Sequence, residues 1–404
     1  MKYAKALELA LENVEQIKDT ELVNIEDALN RVVSKDIYAL RALPPYNNSA
    51  MDGFAFKYSD INSPLKIIAK ILAGDIVEPN LKQNECYKIM TGAKVPNDCD
   101  TIAPIEICEV SNGSVKVLKP IKKGSAIRLM GEELQKSSLI VKSGDRLSAS
   151  KIALLASQGI VEVECFKELK IAIIATGSEL KEPGEDATSD ELYNINGINI
   201  KSHLLAHSIK SEYLGVLPDN LEESIEFFRK LDNYNIIITT GGVSVGDADF
   251  TKEALLQNGF KEIFHGIKVK PGHPTLMGKI GTTFVMAMPG NPLAAIMHII
   301  ILGLPIILKS QGAKDIFFST KEAKISTTLK LKPNRVNIVL GTYKNGTFSP
   351  YKNNKYGSGM VTPLVESNAI ALFNETCENV TNGSTIKIVE FASILSEENF
   401  DYLM

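Results

Sequence analysis

The residues best placed to do chemistry follow an apolar strand pattern at 235–240: Thr240-Gly241-Gly242-Val243-Ser244-Val245-Gly246-Asp247-Ala248-Asp249, leading into a helical pattern. Glycines at a strand end let backbone amides approach a phosphate or a planar ring. A tight turn with no ligand is the plainer alternative. Gly242-x-Ser244-x-Gly246 also matches a hydrolase nucleophile elbow, with His265, His273 and His298 as possible later partners. A second strand-end loop, Ala175-Thr176-Gly177-Ser178-Glu179-Leu180, presents a carboxylate after the apolar run 171–174. Asp219 ends a third strand pattern, where capping the next helix is an equal alternative to binding. Lys268-Val269-Lys270-Pro271-Gly272-His273-Pro274 is basic and turn-forming. Its two lysines fall on one side of a strand, suited to an oxyanion or to blocking a sheet edge. Met288-Pro289-Gly290-Asn291-Pro292 supplies a further loop, and several loops on one sheet edge argue for a shared cleft.

The elements that must position these loops are legible as alternation. Short β-rich runs (170–176, 211–217, 235–240, 282–288) interleave with helical patterns (197–207, 221–231, 250–257), which predicts a mostly parallel sheet flanked by helices. Pro292 suits the first turn of a helix. The apolar run 293–308 is shorter than a bilayer span and contains His298, Gly303 and Pro305, so a buried helix is expected. Residues 40–136 change character to short strands and polar turns. Runs 101–110 and 114–119 flank Ser111-Asn112-Gly113, a hairpin signal. Residues 148–157 return to helix, and short strands broken at Asn345-Gly346 and Asn382-Gly383-Ser384 follow residue 321. The fold class is therefore multi-domain α/β with β-rich neighbours. No internal repeat stands out.

The 404 residues and 44% hydrophobic content allow two to four domains, and a net charge of -4 gives no nucleic-acid footprint. Five cysteines without a C-x-x-C pair suit reduced cytoplasmic thiols. The N-terminus places Ala4, Leu7, Leu11 and Val14 at helical spacing, unlike a signal peptide. His203 and His207 are spaced i, i+4 but lack other obvious metal ligands.

Ser49-Ala50-Met51-Asp52-Gly53-Phe54-Ala55 and Ile89-Met90-Thr91-Gly92-Ala93 have no first-principles explanation. With Thr176-Gly177-Ser178-Glu179-Leu180, Gly241-Gly242-Val243-Ser244-Val245-Gly246, Lys270-Pro271-Gly272-His273-Pro274 and Pro289-Gly290-Asn291-Pro292, they make the chain resemble the molybdopterin molybdenumtransferases, which include the equivalent domain of gephyrin. The resemblance implies a split linker domain at 19–38 and 138–168 and a β-rich domain at 39–137. It further implies a molybdopterin-binding α/β/α domain at 1–18 and 169–317, and a C-terminal β-barrel at 318–404. It implies an enzyme that inserts molybdate into adenylylated molybdopterin and releases AMP with Mg²⁺ present. The enzyme would be a cytoplasmic homodimer in contact with the molybdopterin adenylyltransferase, with no nucleic acid or membrane partner. Carried over by position, the catalytic residues are Asp52, Glu179, Asp219, Asp249 and Lys270, with Glu179 and Asp249 on the metal. Substrate contacts fall to Thr91, Gly241, Gly242, Ser244, Gly246, Pro289, Pro292, Arg335 and Ser358. Three positions depart from the family pattern: His273 and Gly266 stand where lysines are usual, and Glu133 where aspartate is. A serine hydrolase using Ser244 and a non-catalytic pterin-binding scaffold are the competing readings.

Overall fold

In the computed structural model the described residues are 1–217, 220–242 and 250–392. A six-stranded sheet holds the strand-end loops, in the order Glu212–Val216, Ile171–Ala175, Ile236–Thr240, Thr283–Met288, Leu276–Ile280, Lys261–His265. The first four strands are parallel, and Leu276–Ile280 runs antiparallel to its neighbours on both sides, Thr283–Met288 and Lys261–His265. Ile171–Ala175, Ile236–Thr240 and Thr283–Met288 are buried throughout because helices cover both faces, which is why they read as unbroken apolar runs. Ile171, Ile173, Ile236 and Ile238 pack toward Ile200, Leu204 and the helix at Pro292–His298; Ala172, Ile174 and Ile237 pack toward Phe228, Ala254 and Leu255.

Leu276–Ile280 and Lys261–His265, which pair antiparallel, have no counterpart in the sequence-based expectation. Gly278 breaks the apolar pattern of Leu276–Ile280, yet the strand requires it: a Cβ there would lie 2.3 Å from the Lys261 carbonyl oxygen. The N-terminal helix, Tyr3–Asn13, also differs from expectation, since Ala4 is exposed. Leu7, Leu11 and Val14 do pack on the core, but Ala6 and Ala10 are the fully buried positions, and their small side chains let the helix lie close against it. The apolar run after Pro292 forms Pro292–His298, a π-helical stretch Ile299–Gly303, and Leu304–Ser310, and is almost wholly buried inside the fold.

Residues distant in sequence share the neighbouring cores. Thr20–Asn24 pairs with Glu162–Phe166, and Val23, Val33, Val141, Leu155 and Val163 pack together beneath the helix Ala149–Ser157, which Ser148 caps. A second six-stranded sheet runs Thr101–Pro104, Gly53–Phe56, Glu85–Ile89, Leu65–Ile71, Ser114–Val117, Cys108–Ser111. The expected single strand at 101–110 is two strands, broken by a 3-10 turn at Ile105–Ile107. The hairpin turn at Asn112-Gly113 has φ of 49° and 75°, the left-handed pair that a tight two-residue turn needs. At the C-terminal end, Val336–Lys344, Thr347–Pro350, Lys321–Ile325, Thr385–Glu390 and Ala369–Phe373 close on Val336–Lys344 again, a five-stranded barrel. Val269–Lys270 adds to this barrel in parallel with Val336 and Asn337. The basic loop of the α/β domain is thereby fixed to its neighbour. All five cysteines are unpaired.

Candidate active site

The chain leaves the strand Ile171–Ala175 for a neighbour on one side, Glu212–Val216, and returns to a neighbour on the other, Ile236–Thr240. Such a switch of direction opens a crevice at the carboxyl ends of the strands. Here it is a cleft of ≈ 840 Å³, a size suited to a cofactor-like ligand. Four parallel strands deliver its walls through Thr176, Leu217, Gly241 and Pro289, each at or just beyond a strand end.

Hydrogen bonds join these loops into one surface. Thr176 donates to the Thr240 carbonyl through its N–H at 3.0 Å and its hydroxyl at 3.3 Å. Gly241 N–H donates to the Met288 carbonyl at 3.2 Å. Asn196, at the start of the helix Asn196–Ala206, donates through Nδ2 to Thr240 Oγ1 and to the Gly290 carbonyl, both at 2.7 Å. Its Oδ1 is buried with no hydrogen-bond partner among the described residues. Gly241 and Gly242 have φ of 90° and 62°; a Cβ on the first would lie 2.7 Å from the Thr176 carbonyl oxygen, and on the second 2.1 Å from Thr251 Oγ1. Only glycine allows the loops this contact.

Of the residues expected at a site, Glu179, Gly241, Gly242, Pro289 and Pro292 line the cleft, with the Glu179 carboxylate exposed. Ser358 approaches it: its carbonyl accepts the Leu293 N–H at 3.1 Å, and Gly359 lies in the cleft wall. Asp219, Ser244, Gly246 and Asp249 lie outside the described residues. The helix after Asp219 is capped by Asn220, whose Oδ1 accepts the N–H groups of Glu222 and Glu223 at 2.9 and 3.2 Å, so Asp219 is not its cap. An Asn one position closer to the helix wins because the cap must reach the second and third helical amides.

Lys270 and Arg335 come together, but outside the cleft wall. Partial burial lowers the Lys270 pKa, and the nearby charges of Lys332 and Arg335 lower it further. Three clustered cations favour an incoming anion. Two and four positions on from Lys270, Gly272 and Pro274 do line the cleft. The fully buried His298 holds this loop: Nε2–H donates to the Pro271 carbonyl at 3.1 Å, and the Thr275 hydroxyl lies 2.6 Å from Nδ1. A Cβ on Gly272 would lie 2.3 Å from His298 Nε2. Two departures from the family pattern are neighbours. His273 places Cε1 3.3 Å from where a Gly266 Cβ would be, with Nδ1 held 2.7 Å from the Ile267 carbonyl oxygen.

Burial pushes the His298 imidazole down from 6.5 to about 4. The unfolded chain therefore takes up this proton at a higher pH than the folded one. Stability from this group is present above 6.5 and is lost as pH falls toward 4, by roughly 3 kcal/mol across the window. We expect His298→Gln to flatten that part of the stability profile, as read from urea midpoints at pH 7 and pH 4.5. Equal slopes in mutant and wild type would place the acid sensitivity elsewhere.

Asp52 and Thr91 form a separate constellation. Thr91 donates to Asp52 Oδ1 from its N–H at 2.8 Å and its hydroxyl at 2.7 Å. These bonds, with Lys70 and Lys88 nearby, hold the exposed carboxylate below its ordinary pKa. The two motifs that had no first-principles explanation clasp each other: Gly92 N–H donates to the Ser49 carbonyl at 2.8 Å and Ser49 N–H to the Ala93 carbonyl at 3.0 Å. Gly53 is confined by its neighbour strand, since a Cβ would lie 2.2 Å from the Ala103 carbonyl oxygen. No residue of 39–137 is among the described residues that line the cleft. His203 and His207 pack against the rings of Phe391 and Phe318.

Comparison with known proteins matches residues 1–159 to the MoeA N-terminal region (domain I and II), 172–309 to a probable molybdopterin binding domain and 322–391 to the MoeA C-terminal region (domain IV). The chain is 33% identical over 386 residues to the molybdopterin molybdenumtransferase of Haemophilus influenzae, covering 93% of this chain and 95% of that protein. The chain belongs to the molybdopterin molybdenumtransferase family. A Staphylococcus epidermidis enzyme of the same name is 28% identical, over 93% of this chain and 91% of its own. The crystal structure of the molybdopterin biosynthesis moeA protein from Pyrococcus horikoshii OT3 matches with a TM-score of 0.86 at 26% identity, covering 96% of this chain and 99% of that one. For this family the cleft falls in the segment matched to the molybdopterin binding domain, apart from Gly359.

Sequence reasoning did not single out Asn196 or Thr251 as parts of this site, and it offered His298 only as a hydrolase's partner to Ser244. Asn196 sits where a strand-to-helix connection meets a helical pattern, a position that reads first as a cap. His298 lies inside an apolar run, where its loop partners are invisible.

Proposed function

We propose that the chain inserts molybdate into adenylylated molybdopterin and releases AMP, acting as a homodimer in the cytoplasm on substrate handed over by the molybdopterin adenylyltransferase. The observation that carries this reading is the switch-point cleft, where four strand ends and an exposed carboxylate converge. Thr176, Gly241, Gly242 and Asn196 bind and orient the pterin and its phosphate. Lys270 and Arg335 offset the charge of phosphate or molybdate.

Mg²⁺ takes one or two protein carboxylates and completes its shell with phosphate oxygens and water. Glu179, exposed in the cleft, fits as one such donor. We assign Glu179 and Asp249 as the residues that hold it, where the ion would offset charge developing on the phosphate. Asp52 and Thr91 act from the partner subunit, since their own chain keeps them out of its cleft wall.

The histidines that the hydrolase alternative would draw on have partners of their own. His298 is buried with both ring nitrogens engaged, His273 has Nδ1 tied to a backbone carbonyl, and His265 Nδ1 lies 3.3 Å from Lys252 Nζ. The scaffold alternative has no support among relatives named as transferases. Chromatography of AMP from incubations with adenylylated molybdopterin and Mg²⁺, with and without molybdate, tests the proposal. AMP release should require the intact chain and respond to molybdate. Ser244→Ala should keep turnover within about tenfold, because the loop hydroxyl contributes no more than a hydrogen bond. A loss of about a thousandfold with intact folding would instead favour a serine nucleophile.

A further inference from the structure

Between the strand Ile171–Ala175 and the helix Asn196–Ala206 the chain makes an excursion that forms one wall of the cleft, through Ser178, Glu179, Leu180, Leu192, Tyr193 and Asn194. It is an arm with its own ties. Leu180–Lys181 pairs in parallel with Leu192–Tyr193, Lys181 and Glu191 form an ion pair at 3.3 Å, and Tyr193 OH donates to the Glu185 carbonyl at 2.9 Å. Glu179 is tied to the returning strand, for its carbonyl accepts the Leu192 N–H at 2.9 Å.

One side chain of the sheet reaches this arm at both ends. Tyr213, on the edge strand Glu212–Val216, donates its hydroxyl to Glu182 Oε1 at 2.5 Å and contacts Asn194 Nδ2. Asn194 Nδ2 also donates to the same Glu182 oxygen at 3.1 Å, so outgoing and returning segments meet on a single phenol. The Tyr213 ring packs on Gly197, where a Cβ would lie 2.4 Å from Cε2. Burial first, and then the Glu182 carboxylate, hold the phenol well above its ordinary pKa, so it stays a donor.

We propose that Tyr213 is a positioning residue that latches this arm to the sheet through Glu182 and Asn194, and so fixes where Glu179 stands in the cleft. The proposal rests on the reading of Glu179 as a catalytic residue. The latch itself does not. A bond from a phenol to a carboxylate is charge-assisted and stronger than a neutral one, so its removal frees the arm while the ring packing on Gly197 keeps the fold.

Tyr213→Phe is the mild variant, and the whole chain is used throughout. A glutamate-specific endoprotease should cut the unliganded variant after Glu185 and Glu191 about ten times faster than wild type, with melting temperature held within a few degrees. Glu182→Ala should behave alike. Glu182→Gln, which keeps an acceptor oxygen, should return most of the protection. In AMP release, Tyr213→Phe should lose about tenfold in kcat/KM in the wild-type background and less than about twofold in a Glu179→Ala background, since the group being positioned is then absent. An equal loss in both backgrounds overturns the link to Glu179. Unchanged cleavage in Tyr213→Phe overturns the latch. If wild-type chain releases no AMP, the functional reading falls and takes the role of Glu179 with it, while the cleavage rates still decide the latch.

Discussion

Gly241→Ala is expected to reduce kcat/KM by more than about a hundredfold in a protein that still folds. The added Cβ meets the Thr176 hydroxyl at 2.5 Å and the Thr176 backbone carbonyl at 2.7 Å, and it must also adopt a φ of 90°. The loops after Ile171–Ala175 and Ile236–Thr240 then separate where the ligand is to be held. Deleting the Thr176 hydroxyl should not restore activity, because the backbone oxygen remains in the way. Gly242→Ala makes the contrast. Its worst contact is with Thr251 Oγ1 at 2.1 Å, a side-chain atom, so Thr251→Ala in the same chain should recover part of the loss, while Thr251 Cβ and Thr176 Oγ1, each at 2.9 Å, and a φ of 62° keep the remainder. Steady-state kinetics of these variants, with melting curves beside them, give the answer. If Gly241→Ala retains wild-type kcat/KM, the close packing of these loops is not what builds the site.

The second large effect concerns sharing between subunits. Asp52→Asn and Asp249→Asn are each expected to reduce turnover about a thousandfold, the first by removing a charge proposed to act on the partner's cleft and the second by removing a proposed Mg²⁺ ligand. Asp52 is exposed and held by Thr91, yet no described residue of its region lines its own chain's cleft. If it works on the partner's cleft, two inactive chains can make one good site. When both variants are unfolded, mixed equally and refolded, about half the dimers are mixed, and each carries one intact site and one doubly damaged site. Roughly a quarter of wild-type activity should return. Mixed dimers proven by tagged co-purification but devoid of activity would place Asp52 and Asp249 in the same chain's site.

What the sequence made legible follows from which interactions are local. The runs at 171–175, 236–240 and 283–288 read as strands because both faces of the sheet are covered, and the loops beyond them read as a site because glycines at strand ends have few other uses. Leu276–Ile280 escaped notice because Gly278, needed for close approach to Lys261, interrupts the pattern. The clasp of Ser49 with Gly92 and Ala93 was visible only as a resemblance, since its hydrogen bonds join segments some forty residues apart. Long range also hid the Tyr213 latch and the His298 loop clamp: neither residue has a local pattern that marks it, and each acts through partners placed by the fold. Asn220 shows the limit at short range. Two adjacent residues, Asp219 and Asn220, both suit a cap, and only geometry decides between them.

The proposed reaction couples AMP release to molybdenum transfer. It is tested most directly by a single-turnover experiment with adenylylated molybdopterin, molybdate and Mg²⁺, in which AMP and molybdenum bound to the released pterin are counted in the same quenched samples. The account predicts that the two appear together at about one molybdenum per AMP and that Gly241→Ala suppresses both in parallel. AMP formed at full rate with no molybdenum on the pterin, at saturating molybdate, would contradict it and leave the chain a hydrolase of the adenylylated pterin.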